Sequence, residues 1–138
     1  MLLKVEKKSK VTSSKDVAKI FSDILAAEDE IDRDKEHFWV AGLSNANRVV
    51  YVELVTLGLL NQTLIAPREV FRLAVMRGVA RIMAVHNHPS GTVRPSPEDV
   101  SAMKTLKNAG TILGIKLLDF IIITDGNAYW SASDDGQL

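Results

Sequence analysis

Apolar positions along the chain recur with a helical period in three stretches and with a strand-like density in between. Behind Ser13 or Ser14 as N-cap, Val17, Ile20, Phe21, Ile24 and Leu25 fall at i, i+3, i+4, i+7 and i+8, which predicts an amphipathic helix. The acidic stretch Glu28–Asp34 reads as a loop. Glu36–Leu43 and Arg48–Thr56, rich in aromatic and β-branched residues, read as two strands of a hairpin turning at Asn45-Ala46-Asn47. An extended piece, Thr63–Ala66, leads to Pro67, placed to start a helix with the stripe Val70, Phe71, Ala74 and Val75 and an end at Gly78. Arg81–His86 reads as a buried strand that stops at Asn87-His88-Pro89. After the polar loop Ser90–Pro95, Ser96-Pro97-Glu98-Asp99 opens a helix predicted to run to about Ala109 and stop at Gly110. Ile115–Thr124 is a strongly apolar strand, Asp125-Gly126-Asn127 a turn and Ala128–Ser133 a last short strand. Residues 1–12, short and Lys-rich, are expected to be an N-terminal extension or edge strand ahead of one domain over 13–138. The pattern predicts an α/β fold, one mixed β-sheet with flanking helices.

Composition narrows the function classes. The chain has 138 residues, 46% hydrophobic and 25% charged, an ordinary globular balance for one domain. Its longest apolar run, Ile112–Thr124, is broken by Lys116 and Asp119, so no membrane span is expected. Met1-Leu2-Leu3 runs into lysines rather than a leader pattern, and a cytoplasmic protein is the expectation. Lys plus Arg and Asp plus Glu are 17 each, so the basic excess that holds nucleic acid through its phosphates is missing. Lys7, Lys8 and Lys10 form a small basic cluster, read as a solvated chain start. There is no cysteine, which removes disulfides, thiolate metal sites, catalytic thiols and the zinc nucleoside deaminases together.

A metal would therefore have to be held by histidine and carboxylate, and the chain has three histidines. His86 and His88 stand at i and i+2 at the end of a strand, so both imidazoles point to one face. Zinc takes imidazole nitrogen and carboxylate oxygen, and catalytic zinc keeps three protein ligands. Asp99, in the first turn of the next helix, is a third ligand if the loop Ser90–Pro95 folds that helix back. A second reading stands beside it. Ser as N-cap, Pro at the first helical position and an acidic residue three after the cap make a good helix start on their own account. The two are compatible, because a capped helix fixes Asp99 rigidly.

His86-Asn87-His88-Pro89-Ser90-Gly91, followed by Pro95-Ser96 and Asp99, resembles the signature of the JAMM (MPN-type) metalloproteases, and more narrowly of their RadC-like branch. Glu36-His37-Phe38-Trp39-Val40, Pro67–Arg72, Leu113-Gly114-Ile115 and Leu117-Leu118-Asp119 resemble that branch as well, over roughly residues 15–133. The resemblance implies a JAMM/MPN domain with cytidine-deaminase-like layering. It implies one Zn²⁺ per chain on His86, His88 and Asp99, with Glu36 as general acid/base and Ser96 stabilising the tetrahedral intermediate. The implied substrate is a peptide or isopeptide, and the implied activity that of a zinc-dependent metalloprotease. Two further classes stay open: a non-catalytic interaction domain, and a DNA-associated repair or mobile-element module, or a metal-dependent nuclease. The balanced charge does not support DNA binding, and 138 residues leave no room for the helix-hairpin-helix domain of longer members. His37 is expected to be structural or at the surface, while Asn87 and Arg94 flank the site, either as substrate contacts or simply as polar loop residues. Phe120 and Ala66 stand where the branch has histidines, outside the ligand set.

Overall fold

The computed structural model describes residues 1–3, 9–58 and 65–138. Lys7, Lys8, Thr63 and Leu64, parts of the basic cluster and of the extended piece before Pro67, lie outside the described residues. The elements are β1 (Leu2–Leu3), α1 (Ser14–Ala26), α2 (Glu30–Arg33), β2 (His37–Leu43), β3 (Val49–Leu57), α3 (Pro67–Arg77), β4 (Arg81–Asn87), α4 (Pro97–Leu113), β5 (Lys116–Ile123) and β6 (Tyr129–Ser131). The strands form one sheet in the order β1-β3-β2-β4-β5-β6. Among the described residues only β4 and β5 pair in parallel. That pair needs a crossover, which α4 supplies.

Strand alternation sorts the apolar side chains of β2, β4 and β5 into two cores. Phe38, Val40, Ile82, Ala84, Phe120 and Ile122 pack with Val70, Phe71 and Ala74 of α3 and Met103 and Leu106 of α4. Trp39, Ala41, Met83, Val85, Ile121 and Ile123 pack with Val17, Phe21 and Leu25 of α1 on the other face. The result is three layers with the sheet in the middle, so every residue of β2 is buried, as a strand covered on both sides must be. Ser13 caps α1, its side chain accepting from Asp16 N–H, and Phe21 meets Trp39 with ring centroids 5.4 Å apart. Burying an aromatic or aliphatic side chain of this kind contributes roughly 1.5–3 kcal/mol.

Four sequence expectations are corrected. The acidic stretch is not all loop, because Asp29 accepts from Asp32 N–H and caps the single turn of α2. In α3 the buried stripe is Val70, Phe71, Leu73 and Ala74, and Val75 is exposed. The last strand is shorter than Ala128–Ser133. Gly110 does not end α4: the helix continues to Leu113, and Gly114, at φ 73°, takes the left-handed C-cap. The Ile115 N–H returns to the Gly110 carbonyl at 2.8 Å, closing a Schellman-type end. Gly110 is there for space, since a Cβ would stand 2.3 Å from the Ile115 carbonyl oxygen.

Candidate metal centre

The site is built where β4 runs out beneath the start of α4. His86 and His88 point to the α3/α4 face, the face of Phe38 and Phe120. The His88 N–H donates to the Ile123 carbonyl at 2.9 Å, so backbone pairing with β5 holds the chain through the second histidine before Pro89 ends it. Helix α4 brings Asp99 to them. Its Oδ1 lies 2.8 Å from His86 Nε2 and its Oδ2 3.0 Å from His88 Nε2. One ligand atom from each of the three residues lies within 4.8 Å of the other two.

The helix start and the approach of Asp99 to both histidines are one structure. Ser96 Oγ accepts from Asp99 N–H at 3.1 Å, and Asp99 Oδ2 accepts from Ser96 N–H at 2.8 Å, a complete capping box. The box sets the carboxylate against both imidazoles. Ser96 Oγ uses a lone pair on the box, and its O–H is still available as a donor toward the cleft that Ser96 lines.

The protonation pattern tests whether a cation fits. His88 Nδ1 lies 2.8 Å from the Thr92 carbonyl, which only accepts, so Nδ1 carries the hydrogen. In neutral His88 the Nε2 lone pair would then face the Asp99 oxygen directly. The contact needs a positive charge, either a proton on Nε2 or a metal ion bound to both groups. Without a metal, the hydrogen bond that His88 donates to Asp99 is the main cause that raises the His88 pKa above its ordinary value. Burial pushes Asp99 up, but hydrogen bonds from His86 and His88 outweigh it and hold the carboxyl well below its usual range. Two imidazole nitrogens and a carboxylate suit zinc, and the donor set fits that ion. His86 Nδ1 is buried without a hydrogen-bond partner among the described residues, so its ring is oriented by the Nε2 contact with Asp99 and by packing against Phe38 and Phe120.

A cleft of about 1050 Å³ opens over these residues, and Glu36, Phe38, Arg94, Ser96 and Phe120 line it as well. Phe38 pairs with His86 across β2 and β4, so Glu36, two residues earlier, comes toward His88, whose positive form its charge favours. His37, on the opposite face, is fully buried and stacks on Trp39 at 4.8 Å; it is not a surface residue. Asn87 does not line the cleft either. It is 1% exposed and bonded to the backbone of Lys35 and His37. Arg94 is exposed at the cleft. Phe120 is a buried wall beside His86, while Ala66 is the half-buried N-cap of α3 and makes no side-chain cap bond. Sequence reasoning missed the Thr92 carbonyl, a backbone group that leaves no residue signature, and the wall formed by Phe38 and Phe120. No helix among the described residues is long and apolar enough to cross a membrane.

Known proteins share this chain's pattern. The model of the RadC-like JAB domain matches residues 11–137. A UPF0758 protein of Desulforudis audaxviator is 48% identical over 103 residues, 75% of this chain and 44% of the relative. One of Caldanaerobacter subterraneus is 46% identical over 116 residues, 84% of this chain and 48% of the relative. One of Methanosarcina mazei is 40% identical over 131 residues, 95% and 55% of the two chains. The chain thus spans about half the length of these curated relatives. With a match that runs from the end of the N-terminal segment through β6, and an α/β sheet that sets two histidines and an aspartate together, the chain belongs to the RadC-like JAB domain family.

Proposed function

We propose that this domain is a zinc-dependent hydrolase that cleaves peptide or isopeptide bonds, with His86, His88 and Asp99 as the metal ligands. The observation that carries the reading is the convergence of two Nε2 atoms and one carboxylate in a cleft that Glu36 also lines. When bound there, zinc supplies Lewis-acid polarisation of a carbonyl and lowers the pKa of water toward neutrality. The residues divide the remaining work. Glu36 accepts the proton of the attacking water as the new C–O bond forms, then returns a proton to the amine nitrogen as the C–N bond breaks. The Ser96 O–H donates to the oxygen on which negative charge develops. The Phe38 and Phe120 rings exclude water from the His86 side, which strengthens charge interactions in the site.

The test compares zinc-loaded wild type with Glu36→Gln on a peptide and isopeptide library read by mass spectrometry. The amide keeps the shape of the side chain and cannot take up the proton, so hydrolysis is expected to fall by about 10²- to 10⁴-fold with zinc retained. Equal rates in the two proteins, or cleavage of phosphodiesters and of no amide, would overturn the reading.

A further inference from the structure

The alternation that aims His86 and His88 at the cleft aims Asn87, between them, at the back of the segment that carries Glu36. Asn87 Oδ1 accepts from the His37 N–H at 2.5 Å, and Nδ2 donates to the Lys35 carbonyl at 3.0 Å. The amide orientation follows from its partners, since a flipped amide would set donor against donor and acceptor against acceptor. One buried side chain therefore holds the peptide groups on both sides of Glu36. His37 Nδ1 adds a bond to the same Lys35 carbonyl at 2.8 Å, and the Glu36 carbonyl accepts from Gly58 N–H at 2.9 Å.

Backbone pairing between β2 and β4 ends at Phe38 and His86. Beyond that pair Glu36 lies outside regular structure, and the Asn87 amide takes over from the ladder. We infer that Asn87 is a positioning residue: it fixes Glu36 at a set distance from the two histidines by tying the Glu36 backbone to the strand that bears them. The inference rests on the role given to Glu36 above. Its physical basis is that a proton-transfer group held on an extended terminus loses rate when it drifts, and a displacement of about 1 Å is enough to cost about 10²-fold.

The experiment uses the whole chain as wild type, Asn87→Ala, Asn87→Asp, Glu36→Gln and the double variant Asn87→Ala/Glu36→Gln. Zinc content is measured on each, and amide hydrogen exchange is followed for residues 34–40 and 82–88. In Asn87→Ala zinc is expected to remain, while the His37 amide exchanges about tenfold faster or more, the equivalent of one net hydrogen bond. Amides in the paired stretch Val40–Leu43 keep their protection. Asn87→Asp keeps the acceptor for His37 N–H and loses the donor to the Lys35 carbonyl, so its His37 amide stays protected while the Lys35 side of the clamp is released, a second readout if the alanine variant folds poorly. On a cleaved peptide, Asn87→Ala lowers kcat by about 10- to 100-fold with KM unchanged. That loss disappears in the Glu36→Gln background, because Asn87 acts only through Glu36. An unchanged His37 exchange rate, zinc lost with the clamp, or a kcat loss that persists without Glu36 would each overturn the inference. If wild type cleaves no peptide, the hydrolase reading falls, and the exchange and zinc measurements decide whether Asn87 holds the segment.

Discussion

Replacing Asp99 with asparagine separates the three tasks that meet at this carboxylate. The amide keeps the shape, and its oxygen, placed where Oδ2 stands, still accepts from Ser96 N–H, so the capping box survives. What disappears is the charge that faces His86 and His88 at 2.8 and 3.0 Å. Hydrogen bonds to charged groups contribute about 1.5–3 kcal/mol, and relief of the buried carboxylate's desolvation offsets part of that. We expect a net loss of about 1–2 kcal/mol in the metal-free protein, or about 3–7 °C in Tm for a chain of this size. The pH dependence has a definite sign. Asp99 is lowered, so its contribution is present above the unfolded value of about 3.9 and lost as pH falls toward the folded one. His88 is raised, so its contribution is present below about 6.5 and lost as pH rises through the folded value. The gap between wild type and Asp99→Asn is therefore widest near pH 5.5, about midway in that window, and narrows at alkaline pH. Zinc at about 100 times its Kd adds about 2.7 kcal/mol to wild type, and the asparagine variant forfeits most of this. Scanning calorimetry in chelator and in zinc, from acid to alkaline pH, reads all of these effects. Identical melting in chelator at pH 5.5, together with an equal zinc shift in the two proteins, would refute the reasoning.

Ser96→Ala removes the acceptor for Asp99 N–H and is expected to cost about 1 kcal/mol, or about 3–4 °C in Tm, with zinc content unchanged and a smaller loss of hydrolysis than Glu36→Gln. Gly110→Ala sets a helix-propensity gain of about 1 kcal/mol against a Cβ placed 2.3 Å from the Ile115 carbonyl oxygen and 3.3 Å from the Phe71 ring. Overpacking against backbone costs about 1–3 kcal/mol or more, so the melt should move down, and an unchanged or higher Tm would contradict the close approach. His37→Ala is expected to keep zinc yet to lose about 3 kcal/mol of stability, because its fully buried ring leaves a cavity beside Trp39. Parallel metal analysis and calorimetry check both halves.

Most elements and the gathering of His86, His88 and Asp99 were legible because each has a local cause. Ser13 and Ser96 announce their helices by cap chemistry, and strand alternation alone places His86 and His88 on one face. Long-range packing was harder to read. Gly110 looks like a helix end in sequence, and only the approach of the Ile115 backbone gives it a place inside the helix. Val75 fits a helical stripe, but the sheet beneath α3 takes Leu73 instead. Asn87 looked like polar loop at a site rim, yet its partners are backbone groups some fifty residues earlier, at and just before the start of β2, where no spacing rule reaches. The Thr92 carbonyl that fixes the His88 tautomer was invisible for a simpler reason, since any residue there offers the same atom.

The measurement that bears most directly on the central claim is metal content of the purified chain by atomic emission. About one zinc per wild-type chain is expected, and none in His86→Ala/His88→Ala, because the third histidine, His37, faces the other side of the sheet against Trp39. Stoichiometric zinc in the double variant, or a wild-type chain that takes up no zinc when the metal is supplied, would contradict the assignment.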